Sequence, residues 1–262
     1  MVEPWAQAGP KFKFILQASV SGSLKASPMH AWKARIVFSL QQGVRRDNDI
    51  IRTDRCGAFD ITVGPLMKVW GFYKGSGRMP HRAEIRGALA KVGYKNIELD
   101  ATSKTVRFRR SGVEMDPGGI GKGYAVDRMV EILKRNGIAS GFITAGSSTV
   151  YGLGTPPDDV RGWRVTIRHP KEEGHRVAEV FLTDESMSTS GNYEKFFRAG
   201  RRIYAHIMDP RTGYPAQGML SVSVIAPKAL DSEAWTKPYF INGRRWAASH
   251  KQDNFRVFLC ED

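Results

Sequence analysis

The chain has 262 residues, 41% hydrophobic and 25% charged, a composition that supports one sizeable domain or two small ones and excludes low-complexity and fibrous classes. Lys and Arg exceed Asp and Glu enough to give a formal charge of +14, which favours anionic partners, but the basic residues are spread over 104–110, 161–176 and 198–202 without interleaved aromatics, so nucleic acid is disfavoured. Cys56 and Cys260 stand far apart in no CxxC, which excludes a disulfide framework or a thiolate metal site, and no run approaches the roughly 20 apolar residues of a membrane span.

Residues 1–56 show weak periodicity, with KARIVFSL as a short strand. KFKFILQASVSGSLKA has a basic start, but Gln17, Ser19 and Ser21 cut its apolar core, so it is a poor signal peptide and the residues alone point to the cytoplasm. GAFDITVGPLMKVWGF, residues 57–72, reads as an aromatic-rich loop whose rings can stack on a flat ligand. HRAEIRGALAKVG places Ile85, Leu89 and Val92 on one helical face and stops at Gly93, and NIELDATSKTVRFRR alternates as a hairpin.

MDPGGIGKGYAVD, residues 115–127, packs four glycines and a lysine ahead of a helix. Glycine lets backbone approach a ligand, and a helix start offers N–H groups to an anion, so a phosphate is the first expectation. GxGxxG and GxxxxGK[ST] both fail on spacing. Ala125, Val126, Met129, Val130 and Leu133 then form an apolar stripe that ends at Asn136-Gly137. SGFITAG, RGWRVTIRHP, VAEVFL, RRIYAHIMD and SVSVIAP read as strands, STSGNYEKFF as hydroxyls before a short helical turn, and a helix starts near Asp231. The irregular alternation with hairpins favours an α+β fold over a doubly wound sheet. In AHIMDPRTGYP, residues 205–215, His206 suits proton transfer from a hydroxyl, Arg211 suits a phosphate, and Asp209 can orient either.

Taken in order from about Gly57 to Gly243, these stretches resemble the flavin transferase family called ApbE: GAFDITVGPLMKVWGF its GxFDxTVGPLxxLWGF, MDPGGIGKGYAVD its xDLGGIAKGYAVD, and SGNYEKFF with AHIMDPRTGYP its SGDYERFF and SHIIDPRTGYP. The resemblance implies an α+β, T-fold-like single domain of mixed sheets with packed helices, with 1–56 matching poorly, 57–243 as the core and 244–262 as a C-terminal strand or tail. It implies transfer of FMN from FAD to a Thr or Ser hydroxyl of a redox partner protein, with release of AMP and Mg²⁺ on the diphosphate. By the same resemblance His206, Asp209, Arg211 and Thr212 form the catalytic set. Gly118, Gly119, Lys122, Gly123 and Asp127 hold the diphosphate, while Trp70, Phe72, Ser190 and Tyr193 complete the FAD site. Relatives are often exported or membrane-attached.

The pattern breaks at the implied metal. Gly121 supplies a backbone carbonyl, but where the family has a helical Asp and Thr four residues apart, LDSEAWTKPYFING carries Glu233 and Lys237 in the gapless register. An ammonium cannot ligate a metal and at this spacing can pair with Glu233, so Lys237 is expected to replace or weaken the ion. The other register, Asp231 with Thr236, separates the two by about 140° around a helix. Pro238 is expected to kink that helix. An FAD-binding relative without transferase activity, and an FAD pyrophosphatase, remain as alternatives.

Overall fold

The structure is a computed structural model that describes residues 57–75, 77–100, 102 and 105–262. The strand expected at KARIVFSL falls outside them. From Gly57 the chain makes two short helices, α1 (Gly64–Val69) and α2 (Arg82–Leu89), then a hairpin of β1 (Ile97–Asp100) and β2 (Thr105–Phe108). Helix α3 (Gly121–Arg135) follows, then β3 (Gly141–Ala145), β4 (Thr149–Leu153), the hairpin of β5 (Trp163–Arg168) and β6 (Arg176–Leu182), and β7 (Glu185–Gly191). Two more hairpins, β8 (Phe196–Ala199) with β9 (Arg202–Ala205) and β10 (Met208–Asp209) with β11 (Tyr214–Pro215), lead to β12 (Met219–Ala226), α4 (Ala229–Ser249) and β13 (Arg256–Glu261).

The scaffold is a five-stranded sheet in the order β13-β12-β7-β4-β3, antiparallel at every pairing. Every residue of β12 is buried, because helices cover one face of the sheet and the β5–β6 hairpin the other. On the helix face Val222 and Val224 pack with Tyr239 and Phe240 of α4. On the opposite face Ile225 and Met187 pack with Ile167, Val180 and Leu182.

Strand β7 meets α4 through hydroxyls rather than hydrocarbon. Ser186 and Ser188 lie 3.0 and 2.9 Å from the Ser232 hydroxyl, and Ser190 donates to Thr236 at 2.8 Å. Small side chains bring the helix close to the sheet, and mutual hydrogen bonds remove the cost of burying them. The helical turn expected within 188–197 is therefore absent: β7 runs to Gly191, and after a turn β8 begins at Phe196.

Other expectations shift in detail. The 57–72 stretch is half helix, α1 starting with Pro65 in its first turn, where a missing N–H costs nothing. Helix α2 ends at Leu89 with Ala90 as its C-cap, short of Gly93. In α4 the break is not at Pro238, which is buried within continuous helix, but at Gly243, whose φ of 76° and ψ of −174° only glycine adopts readily. Residues 244–262 supply the end of that helix and the edge strand β13. No described helix is long and apolar enough to cross a membrane.

Helices α3 and α4 touch at Gly123, which is buried. A Cβ there would stand 2.3 Å from the Ala229 carbonyl oxygen, well inside van der Waals contact. Gly123→Ala is therefore expected to force the two helices apart and to cost about 1–3 kcal/mol. Thermal unfolding checks this: Tm should fall by roughly 3–10 °C, and an unchanged Tm would show that the helices can slide without penalty.

Candidate functional site

The N-terminal ends of α3 and α4 are laced together by two carboxylates, each serving the other helix. Asp127 on α3 accepts the N–H groups of Ala229 and Leu230, at 2.8 and 3.0 Å, which are among the donors a helix start leaves unpaired. Glu233 on α4 accepts the Gly123 N–H in the first turn of α3 at 2.6 Å. Asp127 thus caps α4. Both of its oxygens are committed to α4 and it does not pair with Lys122, so it serves as a cap where a diphosphate-pocket residue was expected. Burial pushes its carboxyl up to about 6, against the pull of the two N–H bonds. Gly123 is likewise a packing glycine, with α4 backbone where a cofactor was expected.

Glu233 is only 2% exposed, and its Oε1 is buried without a hydrogen-bond partner. Lys122 stands 3.7 Å from that oxygen, donates to the Ser148 hydroxyl at 2.5 Å, and keeps 42% of its side chain exposed. Lys237 reaches the glycine loop from α4, donating to the carbonyls of Gly119 at 3.1 Å and of Glu233 at 2.9 Å. Burial draws its ammonium down to about 8, with the Glu233 carboxylate opposing and Lys122 assisting. Both Glu233 and Lys237 therefore face the glycine loop, as the gapless register requires. Thr236 is instead fully buried on the β7 seam, so the Asp231 and Thr236 register has no counterpart here.

The loop itself is partly filled by the protein. Asp116 accepts the Gly118 N–H at 2.8 Å, and a Cβ at Gly119 would meet the ring of Phe59 at 2.8 Å and the Lys237 side chain at 3.3 Å. Gly121 opens α3, whose N-cap, Ile120, provides no side-chain cap. The first turn carries no acidic residue, so its N–H groups and the helix dipole favour an anion.

His206 follows β9, and burial lowers its imidazole to about 4, with a carbonyl contact resisting and the charges of Lys237, Lys195 and Lys122 adding to the fall. The ring is consequently neutral at pH 7. Its Nδ1 lies 3.3 Å from the Lys195 carbonyl, which can only accept, so Nδ1 carries the hydrogen and Nε2 presents a lone pair. His206, Lys122 and Lys237 thus share one electrostatic neighbourhood.

The remaining expected residues lie apart from it or serve the fold. Asp209 takes Arg211 in a bidentate pair, both bonds at 2.9 Å, and Arg211 also donates to Asn242, so Asp209 orients the arginine rather than His206. Thr212 accepts the Tyr214 N–H at 3.2 Å within the β10–β11 turn. Trp70 and Phe72 are 0% and 6% exposed and sit in a core with Leu66, Ile85 and Met208, so neither ring has a face to offer a flavin. Trp70 also donates to the Gly213 carbonyl at 2.8 Å, which pins the β10–β11 turn. Ser190 belongs to the seam with Thr236. Tyr193 folds over Gly191, which stands opposite Ser221, and burial raises its hydroxyl, with the neighbouring Glu194 and then Cys260 adding to the rise. Sequence reasoning missed Tyr73, 51% exposed and bonded to Asp116 at 3.0 Å, together with Phe59 and Lys195. Tyr73 directly follows Phe72, so an aromatic was sought one position too early.

The donor set does not suit Mg²⁺. That ion takes six oxygens in near-octahedral array, whereas here an ammonium occupies the carbonyls of Gly119 and Glu233 and one Glu233 oxygen is committed to the Gly123 N–H. Lys237 is accordingly not a metal ligand.

A family model described as the ApbE family matches residues 46–259. The FAD:protein FMN transferase of Klebsiella pneumoniae (strain 342) is 33% identical over 211 residues, 79% of this chain and 62% of that protein. The FAD:protein FMN transferase of Salmonella typhimurium is 31% identical over 259 residues, 94% of this chain and 69% of that protein. A crystal structure of an ApbE protein from Thermotoga maritima is similar at a TM-score of 0.74 and 30% identity, covering 91% of this chain and 74% of that one. The chain thus spans 62% of the length of the Klebsiella relative and somewhat more of the Salmonella one.

Because its folded value of about 6 exceeds the ordinary 3.8, Asp127 holds a proton in the folded chain over a pH range where the unfolded chain has released it. Its contribution is present below the unfolded value and is lost as pH rises through the folded one. Relative to Asp127→Asn, the native chain should lose stability between pH 4 and pH 6, which urea unfolding across that range measures; a constant difference would place the proton elsewhere.

Proposed function

The chain belongs to the ApbE family, and from that premise we propose that it transfers FMN from FAD to a Thr or Ser hydroxyl of a partner protein. The oxygen of the acceptor hydroxyl bonds to the FMN-side phosphorus of FAD, and the bridging P–O bond to the AMP side breaks. AMP leaves with that electron pair. The hydroxyl proton passes to His206 Nε2. The observation that carries this reading is the convergence of Lys122 and Lys237 on Glu233 and the glycine loop at the start of α3, whose charges also bear on His206, held neutral by burial. Phosphoryl transfer demands little more of a protein than positioning and charge stabilisation, which fixed cations and helix N–H groups supply. Arg211, fixed in one orientation by Asp209, keeps a fork that suits a phosphate oxygen.

A flavin-acceptor protein follows from this reading as the partner, because the product is covalent flavin on a hydroxyl. FAD is consumed as a substrate. Incubating the chain with FAD and an acceptor protein, then looking for flavin fluorescence that survives denaturation, tests the proposal. AMP released without any acceptor would favour FAD hydrolysis, and FAD binding without AMP would favour a carrier.

Two outcomes probe His206 further. His206→Ala should lower the transfer rate by about 10²–10⁴-fold, the usual worth of a general base, while FAD affinity changes little. The acid limb of kcat/KM, which reports the free protein, should fall near pH 4 because the base is lost only below its depressed value. A limb near the ordinary 6.5 would mean that His206 is solvated like a surface histidine.

A further inference from the structure

Lys237 is half-buried and held by two backbone carbonyls. Its ammonium spends two donors on the neutral oxygens of Gly119 and Glu233, and among the described residues no carboxylate lies in hydrogen-bonding contact with it. Glu233 turns the other way: Oε2 takes the Gly123 N–H, and Oε1 is buried with no hydrogen-bond partner, 3.7 Å from Lys122. Two ammoniums therefore stand about one carboxylate at the start of α3, where Ile120 gives no side-chain cap and the helix dipole adds positive potential. Glu194 and Asp116 add negative charge about Lys237 as well, and the two lysines together match the formal charge of the divalent ion that an ammonium on these carbonyls displaces.

We infer that this chain binds the diphosphate of its dinucleotide without a divalent cation, Lys237 and Lys122 supplying the charge and Glu233 anchoring the pair to α3. The inference rests on the FAD reading above and deepens it. Lys237 has a third N–H with which to meet a phosphoryl oxygen, and Lys122, reaching solvent, closes on the diphosphate from the other side. Glu233 holds no metal in this arrangement. Its role is to fix the Gly123 N–H and offset part of the lysine charge when no ligand is bound.

The test titrates FAD into the full-length chain, by calorimetry or flavin fluorescence, once in EDTA and once with millimolar Mg²⁺. The two dissociation constants should agree within about twofold, far less than the tenfold that 1.4 kcal/mol represents. Lys237→Thr, which puts an oxygen where the ammonium stands, should weaken binding in EDTA by about 10–100-fold, the range of one charge-assisted hydrogen bond, and Mg²⁺ should restore it. Lys237→Gln can still donate to the same two carbonyls, so it carries the loss-of-charge test should the threonine variant fail to fold, and it should show the same loss in EDTA. Native binding that appears only with Mg²⁺, or metal-free binding undiminished in either folded variant, overturns the inference. If FAD binds only with Mg²⁺ and is still transferred, the proposed activity stands while this inference falls; if FAD binds under neither condition, both fall.

Discussion

The reciprocal exchange between α3 and α4 is the constraint on which the rest depends. Each helix begins with N–H groups that its own ladder cannot satisfy, and each takes a carboxylate from the other: Asp127 for α4, Glu233 for α3. The exchange is possible only because Gly123 lets the Ala229 carbonyl come within the space of a missing methyl group. Two helix starts, with their positive ends, are thereby locked side by side at one edge of the sheet. A site for an anion is a consequence of that packing, before any catalytic side chain is considered.

Charge then decides what the site can do. Burial strips water from His206 and Lys237 together, and their positive forms repel each other, so the imidazole gives up its proton first and the ammonium keeps its own at pH 7. One neighbourhood therefore holds both a neutral base and a cation, roles that would be lost if both groups were solvated. The hydroxyl seam between β7 and α4 supports this indirectly. It holds α4 rigidly against the sheet through Ser232 and Thr236, flanking the turn from which Glu233 and Lys237 project.

Much of this was legible in the sequence, and the failures have physical reasons. The α+β class and α3 with its Asn136-Gly137 stop followed from periodicity and spacing; the placement of Glu233 and Lys237 toward the glycine loop followed from the family resemblance, but the expected pairing of their side chains does not form, because Lys237 takes the Glu233 backbone carbonyl and the carboxylate turns to the Gly123 N–H. Strand β7 was not legible, since its inward residues are serines that satisfy one another, a pattern identical in sequence to an exposed loop. Trp70 and Phe72 were assigned to a ligand because aromatic residues serve cores and sites alike, and only burial separates the two uses. Asp127 was misplaced because a cap on a helix 102 residues away leaves no local signature. Pro238 was expected to kink α4, but the helix absorbs its missing donor and breaks instead at Gly243, where φ is positive.

The proposed site holds one diphosphate, gripped where α3 and α4 begin, within reach of the imidazole. A crystal of this chain soaked with FAD examines it directly. The account predicts phosphoryl oxygens within hydrogen-bonding distance of the Lys122 and Lys237 ammoniums, with the FMN-side phosphorus facing His206 Nε2. Phosphates seated on another face of the molecule, with Lys237 still bound only to the Gly119 and Glu233 carbonyls, would contradict it.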